Sequence, residues 1–181
     1  WFPFQKGGGY RKWFGNHEYL VNWYNDGHEI RNFFDKNGKQ RSRPQSMGYY
    51  FLAGITWTSV TISAFNTRLS PPGFIYSEPG PVLHTPDVAL LSRLAGFLNS
   101  KPANLLLQLM AQGIHYNQGH LSDLAFPTLP EMAMRQVDTS VARLKAAGEY
   151  DWNSYERSWD FQSLPILTTF SDESMTTLES N

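Results

Sequence analysis

The strongest constraint on this chain is a change of pattern at Thr85. Before it, aromatic and β-branched residues come in short runs broken by glycine, proline and asparagine. After it, Leu90, Leu91, Leu94, Phe97 and Leu98 recur at helical spacing. Alternation buries one face of a strand, whereas a repeat near 3.6 buries one stripe of a helix. Strands first and helices second predict an α+β domain, with a mixed or antiparallel twisted sheet in the N-terminal half and packed helices after it. The expected layout is one domain over residues 1–167: strand-rich 1–84, helix-rich 85–150 and a connecting segment 151–167. Residues 168–181, rich in Ser and Thr, are expected to form a flexible tail. No repeat of 20–50 residues is visible, which argues against a solenoid or propeller.

Local signals refine this outline. Residues 19–24 favour a strand, Asn25-Asp-Gly27 a turn, and residues 28–34 a returning strand. Residues 35–46 hold no apolar side chain except Pro44 and predict an exposed basic loop. Residues 49–62 form the strongest strand region, in which Gly54 marks a bulge or a close backbone approach. Further short strands are expected over 64–69, 73–76 and 82–84. Thr85 is placed to cap a helix with Pro86 in its first turn. Helices are expected over 88–98, 103–112 and 131–147, the last stopping at Gly148. Short extended pieces are expected over 114–130.

Composition excludes several functions. With no cysteine among 181 residues, there is no disulfide, thiol nucleophile or Cys-based zinc site. The longest apolar stretch, 103–111, is interrupted by Asn104 and Gln108 and falls well short of the ~18 residues of a membrane span. The first residues carry no signal-peptide pattern, and an opening Trp1 is expected of a fragment of a larger protein. His115 and His120 lack the HExxH pattern, and His17, Asn25 and His28 are too close in sequence for a nuclease metal motif. Gly7-Gly-Gly9 is not a P-loop. Ser70-Pro-Pro-Gly-Phe74 has Gly73 where an amino-methyltransferase motif needs its aromatic, and reads as a Pro-Pro turn. No catalytic or metal residue is assigned in this chain.

Charge is uneven. Residues 1–68 hold nine Lys and Arg against four acids, a net of +5, whereas residues 69–181 hold six bases against twelve acids. The basic half interleaves these charges with aromatics, as in Tyr10-Arg-Lys-Trp-Phe14. Such a face suits a polyanion, or is merely a solvated surface. Lys and Arg neutralise phosphates, and Arg and Gln read base edges, which makes Arg41, Arg43 and Gln45 candidates. Trp13, Trp23 and Trp57 are equally suited to core packing.

Several strings resemble a known family. Lys6-Gly-Gly-Gly-Tyr-Arg-Lys-Trp-Phe-Gly-Asn16 and Val21-Asn-Trp-Tyr-Asn-Asp-Gly27 resemble the region after the catalytic domain of PglX-type adenine-specific DNA methyltransferases of BREX phage defence. Gly54-Ile-Thr-Trp57, Phe65-Asn-Thr-Arg68 and Gly73-Phe-Ile-Tyr76 resemble the target-recognition domain of that family. Leu98-Asn-Ser-Lys101 and Asn117-Gln-Gly-His-Leu121 are also similar to recognition domains of type I restriction specificity subunits. Asp151-Trp-Asn-Ser-Tyr-Glu-Arg-Ser-Trp-Asp-Phe161 resembles the segment just beyond.

The resemblance implies a sequence-specific double-stranded DNA recognition module, carried as a fragment of a cytoplasmic prokaryotic N6-adenine methyltransferase. S-adenosylmethionine would serve the parent's catalytic domain, with no cofactor in this chain. Partners would be duplex DNA, that catalytic domain and other defence subunits. The family strings point to Lys6, Arg11 and Lys12 as phosphate or duplex contacts, and mark Thr56 and Arg68 as further candidates. Trp57 and Arg68 also suit a fold-holding role. The alternative is a protein-interaction module, which docks defence-complex subunits or an inhibitor through the apolar helices of 88–111.

Overall fold

The computed structural model describes residues 1–111 and 113–169. In chain order the elements are β1 (Phe2–Gln5), β2 (Tyr19–Val21), α1 (Tyr24–Arg31), β3 (Gly54–Trp57), β4 (Thr67–Ser70), β5 (Ile75–Tyr76) and β6 (Val82–Leu83). Then come α2 (Val88–Leu98), α3 (Lys101–Ala111), α4 (Gln118–Ser122), α5 (Glu131–Asn153) and α6 (Pro165–Thr169). The α+β order is as expected, with the strands divided between two sheets. One is mixed, in the order β2-β1-β5, with β1 antiparallel to β2 and parallel to β5. The other is antiparallel, in the order β4-β3-β6.

The second sheet carries the main core. Ile55, Trp57 and Phe65 pack against Leu91, Ala95 and Leu98 of α2, Leu107 of α3, and Tyr116. All are buried, and each large side chain removed from water contributes roughly 1.5–3 kcal/mol. Trp57 is a core residue whose indole Nε1 donates to the Tyr116 carbonyl at 2.8 Å. A smaller cluster, of Trp23, Tyr50, Phe74, Ile75 and Tyr76, lies on the mixed sheet. α5 joins the body along α2, where Gly96 lets Val141 approach and Arg93 makes a bidentate pair with Asp138 at 2.9 and 2.7 Å.

Local expectations are corrected at five places. Residues 28–34 are not a strand. Asn25, Asp26 and Gly27 all take left-handed backbone angles, and the chain then winds helically through Arg31. The 49–62 strand shortens to β3, because residues 47–49 coil and Phe51 sits at φ 68°. The cap of α2 is Asp87, whose Oδ1 accepts from the Leu90 N–H at 3.0 Å, while Thr85 Oγ1 accepts from Asp87 N–H. The 114–130 stretch contains α4, capped by Asn117. Finally, α5 runs through Gly148 to Asn153. There the glycine is a contact and not a stop: a Cβ would lie 3.2 Å from that of Trp13. Residues 170–181 of the expected tail, and residue 112, lie outside the described residues; Thr168 and Thr169 close α6.

Gly54 is the close approach that its position suggests. A Cβ would stand 2.4 Å from Val82 Cγ2 and 2.7 Å from the Leu83 carbonyl, across the β3–β6 ladder. Gly48 has open space around its Cα. Gly54→Ala is therefore expected to lose about 1–3 kcal/mol in denaturant unfolding, and Gly48→Ala much less. Equal effects would refute this packing.

His17 is buried among Phe14, Phe74 and Trp152, with no hydrogen-bond partner for Nε2. Burial, and then the nearby Arg68 charge, lowers its pKa from 6.5 to about 4. Between these values the unfolded chain binds the extra proton, so this contribution to stability is full above pH 6.5 and falls as pH drops toward 4. Unfolding of His17→Gln across that window is expected to show a shallower pH slope than wild type; identical slopes would contradict the burial of a neutral imidazole.

Candidate nucleic-acid interface

The structure distributes the eight candidate residues among three environments. Arg41, Arg43 and Gln45 stand exposed on one projection of the mixed-sheet side. Residues 33–41 form a hydrogen-bonded hairpin that ends at Arg41, and Arg43 and Gln45 follow in an irregular stretch. Phe34 bridges Gln40, Asp35 N–H donates to the Lys39 carbonyl at 2.9 Å, and Arg41 N–H donates to the Phe33 carbonyl at 2.8 Å. The turn is held by Asp35, whose Oδ1 accepts from the N–H groups of Asn37 and Lys39, both at 2.9 Å. Its other carboxylate oxygen lies 4.0 Å from Arg41, whose side chain is 55% exposed. Lys36, Lys39 and Arg43 are exposed beside it, so a short span carries several charges on a fixed backbone.

Lys6, Arg11 and Lys12 occupy the second environment, the glycine-rich segment after β1. Lys6 is exposed, its Nζ 4.9 Å from the centre of the Tyr19 ring. Arg11 pairs with Asp151 and lies over the rings of Trp152 and Tyr155. Lys12 Nζ donates to the Asn99 carbonyl at 2.9 Å, at the C-terminal end of α2, where a cation is favoured. Arg11 and Lys12 thus both fasten this segment to helices. The glycines also pack closely. A Cβ on Gly7 would stand 2.8 Å from the Pro79 carbonyl, and one on Gly8 would stand 2.7 Å from Asn16 Nδ2.

The third environment is interior. Thr56 and Arg68 have no exposed surface and touch only protein in this conformation. Arg68 donates to Asn66 Oδ1 at 3.0 Å, and more weakly to the Arg11 carbonyl and Thr58 Oγ1. No carboxylate pairs with it among the described residues. Burial, with Arg11 nearby, lowers its pKa to about 10. Its guanidinium links β4 to the glycine-rich segment.

The fold gathers residues that sequence reasoning did not bring together. α1 brings Asn25, His28, Arg31 and Asn32 against Gln40 and Arg43, around a pocket of about 400 Å³. A larger groove of about 850 Å³ continues past Arg43 and Gln45, floored by Trp23, Tyr50 and Tyr76. Arg31 is visible as a base in the positive half, but only the fold sets it on the same pocket as Arg43.

Residues 7–9 follow a strand but lead into an irregular segment and then β2, without a helix. The strand–turn–helix cradle of a nucleotide cofactor is therefore not built there; protein atoms crowd Gly7 and Gly8, while Gly9 has open space around it. Among the described residues no group of three His, Asp or Glu side chains converges as metal ligands. No helix among them is long and apolar enough to cross a membrane.

No protein-family profile matches the chain. It is 32% identical over 173 residues to the adenine-specific methyltransferase PglX of Lacticaseibacillus casei strain Zhang, covering 95% of this chain and 14% of that protein. It is 32% identical over 169 residues to the adenine-specific methyltransferase BrxX of Escherichia coli O9:H4 strain HS, covering 92% of this chain and 13% of that protein. The chain thus spans only about one-seventh of the length of the curated relatives it matches. Over nearly its whole length, this chain is similar to one segment of the adenine-specific methyltransferases PglX and BrxX.

Proposed function

We propose that this chain is a double-stranded DNA recognition module of an adenine-specific methyltransferase acting in restriction or phage defence. The observation that carries the reading is the hydrogen-bonded basic hairpin, on which Lys36, Lys39 and Arg41 are exposed, with exposed Arg43 just beyond it, while Asp35 is engaged in the turn. A fixed array of cations suits phosphate contact, and Arg41, Arg43 and Gln45 have the donors and acceptors to read base edges. Lys6 supplies a further exposed cation; Arg11, Lys12, Thr56 and Arg68 serve recognition by holding the platform rather than by touching DNA. Another part of a longer protein binds S-adenosylmethionine and methylates the exocyclic adenine nitrogen, and this chain selects the site.

A second reading has one specific support. Leu105, Leu106 and Leu109 of α3 are exposed, as are Ile62 and Ile114. Such apolar surface suits a protein partner, of which the catalytic part of the same longer protein is the simplest. It coexists with DNA recognition, because it lies on a different element from the hairpin.

The test is fluorescence anisotropy of labelled duplex and of single strands of the same sequence, titrated with the full chain over a range of salt. Duplex-preferring binding that weakens steeply with salt is expected. In the full-length protein, Arg41→Ala or Gln45→Ala is expected to relax site choice by about 1–3 kcal/mol at one base position. Uniform weakening on all sequences would reassign these residues to phosphate contact. Absence of duplex binding by both the chain and the full-length protein would overturn the reading.

A further inference from the structure

The smaller pocket, beside the hairpin, has an unusual lining. Arg31 and Arg43 border it from two different segments, and His28, one helical turn before Arg31, lines it as well. No carboxylate lines it. Neither arginine forms an ion pair among the described residues. The nearest acidic neighbour along α1, Glu29, faces the larger groove and accepts from Asn22 Nδ2 at 2.9 Å.

The polar neighbours hold the pocket's walls together. Gln40 Nε2 donates to the Arg31 carbonyl at 2.9 Å, which ties the hairpin to α1. Asn32 Nδ2 donates to the His28 carbonyl at 2.8 Å, which closes the helical turn. The backbone that carries Arg31 is therefore tied to the hairpin before any ligand arrives, and Arg43 follows two residues after the hairpin's last backbone hydrogen bond, at Arg41. Two like charges around one cleft repel each other, and an anion between them relieves that repulsion while accepting several charge-assisted hydrogen bonds. Guanidinium forks match the oxygens of a phosphate better than a point charge does.

We propose that this pocket seats a single phosphate group, with Arg31 and Arg43 as its two cationic ligands. The inference rests on the duplex reading for its principal source, a backbone phosphodiester; a free phosphate has the same chemistry. It places Arg31, on α1, in the interface and makes the hairpin and α1 one contact surface.

The experiment compares wild type with Arg31→Gln, Arg43→Gln and the double variant in duplex titrations over a range of salt. Lys145→Gln, on exposed α5, controls for net charge. Each single variant is expected to reduce the slope of log affinity against log salt by about one. The double variant is expected to lose no more than either single one, because both arginines act on one phosphate. Thermal melts check that each variant folds. In a parallel arm, inorganic phosphate is titrated while the arginine side-chain N–H signals are followed by NMR. Joint, saturable shifts of Arg31 and Arg43 support the pocket. If these occur while the duplex slopes stay unchanged, the phosphate is a free one. Slope losses that add in the double variant would show two separate contacts and overturn the shared pocket. Unchanged slopes together with unmoved signals would overturn it too, leaving the duplex reading intact so long as wild type still binds. A wild type without salt-dependent duplex binding would remove the duplex reading, and the backbone source with it.

Discussion

The structure depends on how the outer edge of β4 is closed. β4 ends its sheet, so the backbone polar groups on its outer side need partners from elsewhere. Asn99, at the end of α2, supplies two: its Oδ1 accepts from the Thr67 N–H at 2.9 Å, and its Nδ2 donates to the Thr67 carbonyl at 3.0 Å. Trp13 supplies two more: its N–H donates to that same carbonyl at 2.9 Å, and its own carbonyl accepts from Leu69 N–H at 2.9 Å. A buried backbone group left without such a partner costs about 1–3 kcal/mol. One short edge therefore fixes the glycine-rich segment, the sheet and the first long helix relative to one another. Lys12 reinforces the junction through the Asn99 carbonyl.

That arrangement explains why the basic residues have different fates. Arg11, Lys12 and Arg68 lie around the closed edge, and their charge is used to hold it. Arg31 and Arg41 lie on the projection beyond the smaller core, where hydrogen bonds fix their backbone, with Arg43 just after them, and all three residues are exposed. A platform that uses one set of cations internally can present another set in a fixed geometry. Preorganisation of this kind reduces the ordering cost of binding.

Much of this was readable from residues with a strong local signature. The leucine spacing after Thr85 marks α2 and α3 because it matches a helical stripe. Gly54 signals a close strand approach because no larger side chain fits against Val82. Other features depend on contacts distant in sequence. Gly148 has the composition of a helix stop, yet α5 continues through it, and Trp13 packs close to where its side chain would be. The Asn25–Gly27 turn was legible as a turn, but three left-handed residues in succession feed a helix and not a second strand. The family strings around Thr56 and Arg68 do not separate a contact from a buried support; only their burial does. Similarly, nothing local to Arg31 says that it shares a pocket with Arg43.

The central claim is that a rigid body presents the α1–hairpin surface to a duplex. Hydrogen–deuterium exchange on the full chain, with and without duplex DNA, tests it most directly. The account predicts new protection confined to residues 28–46, with β3, β4 and α2 exchanging slowly and equally in both states. Protection on α3 with none at residues 28–46 would contradict it.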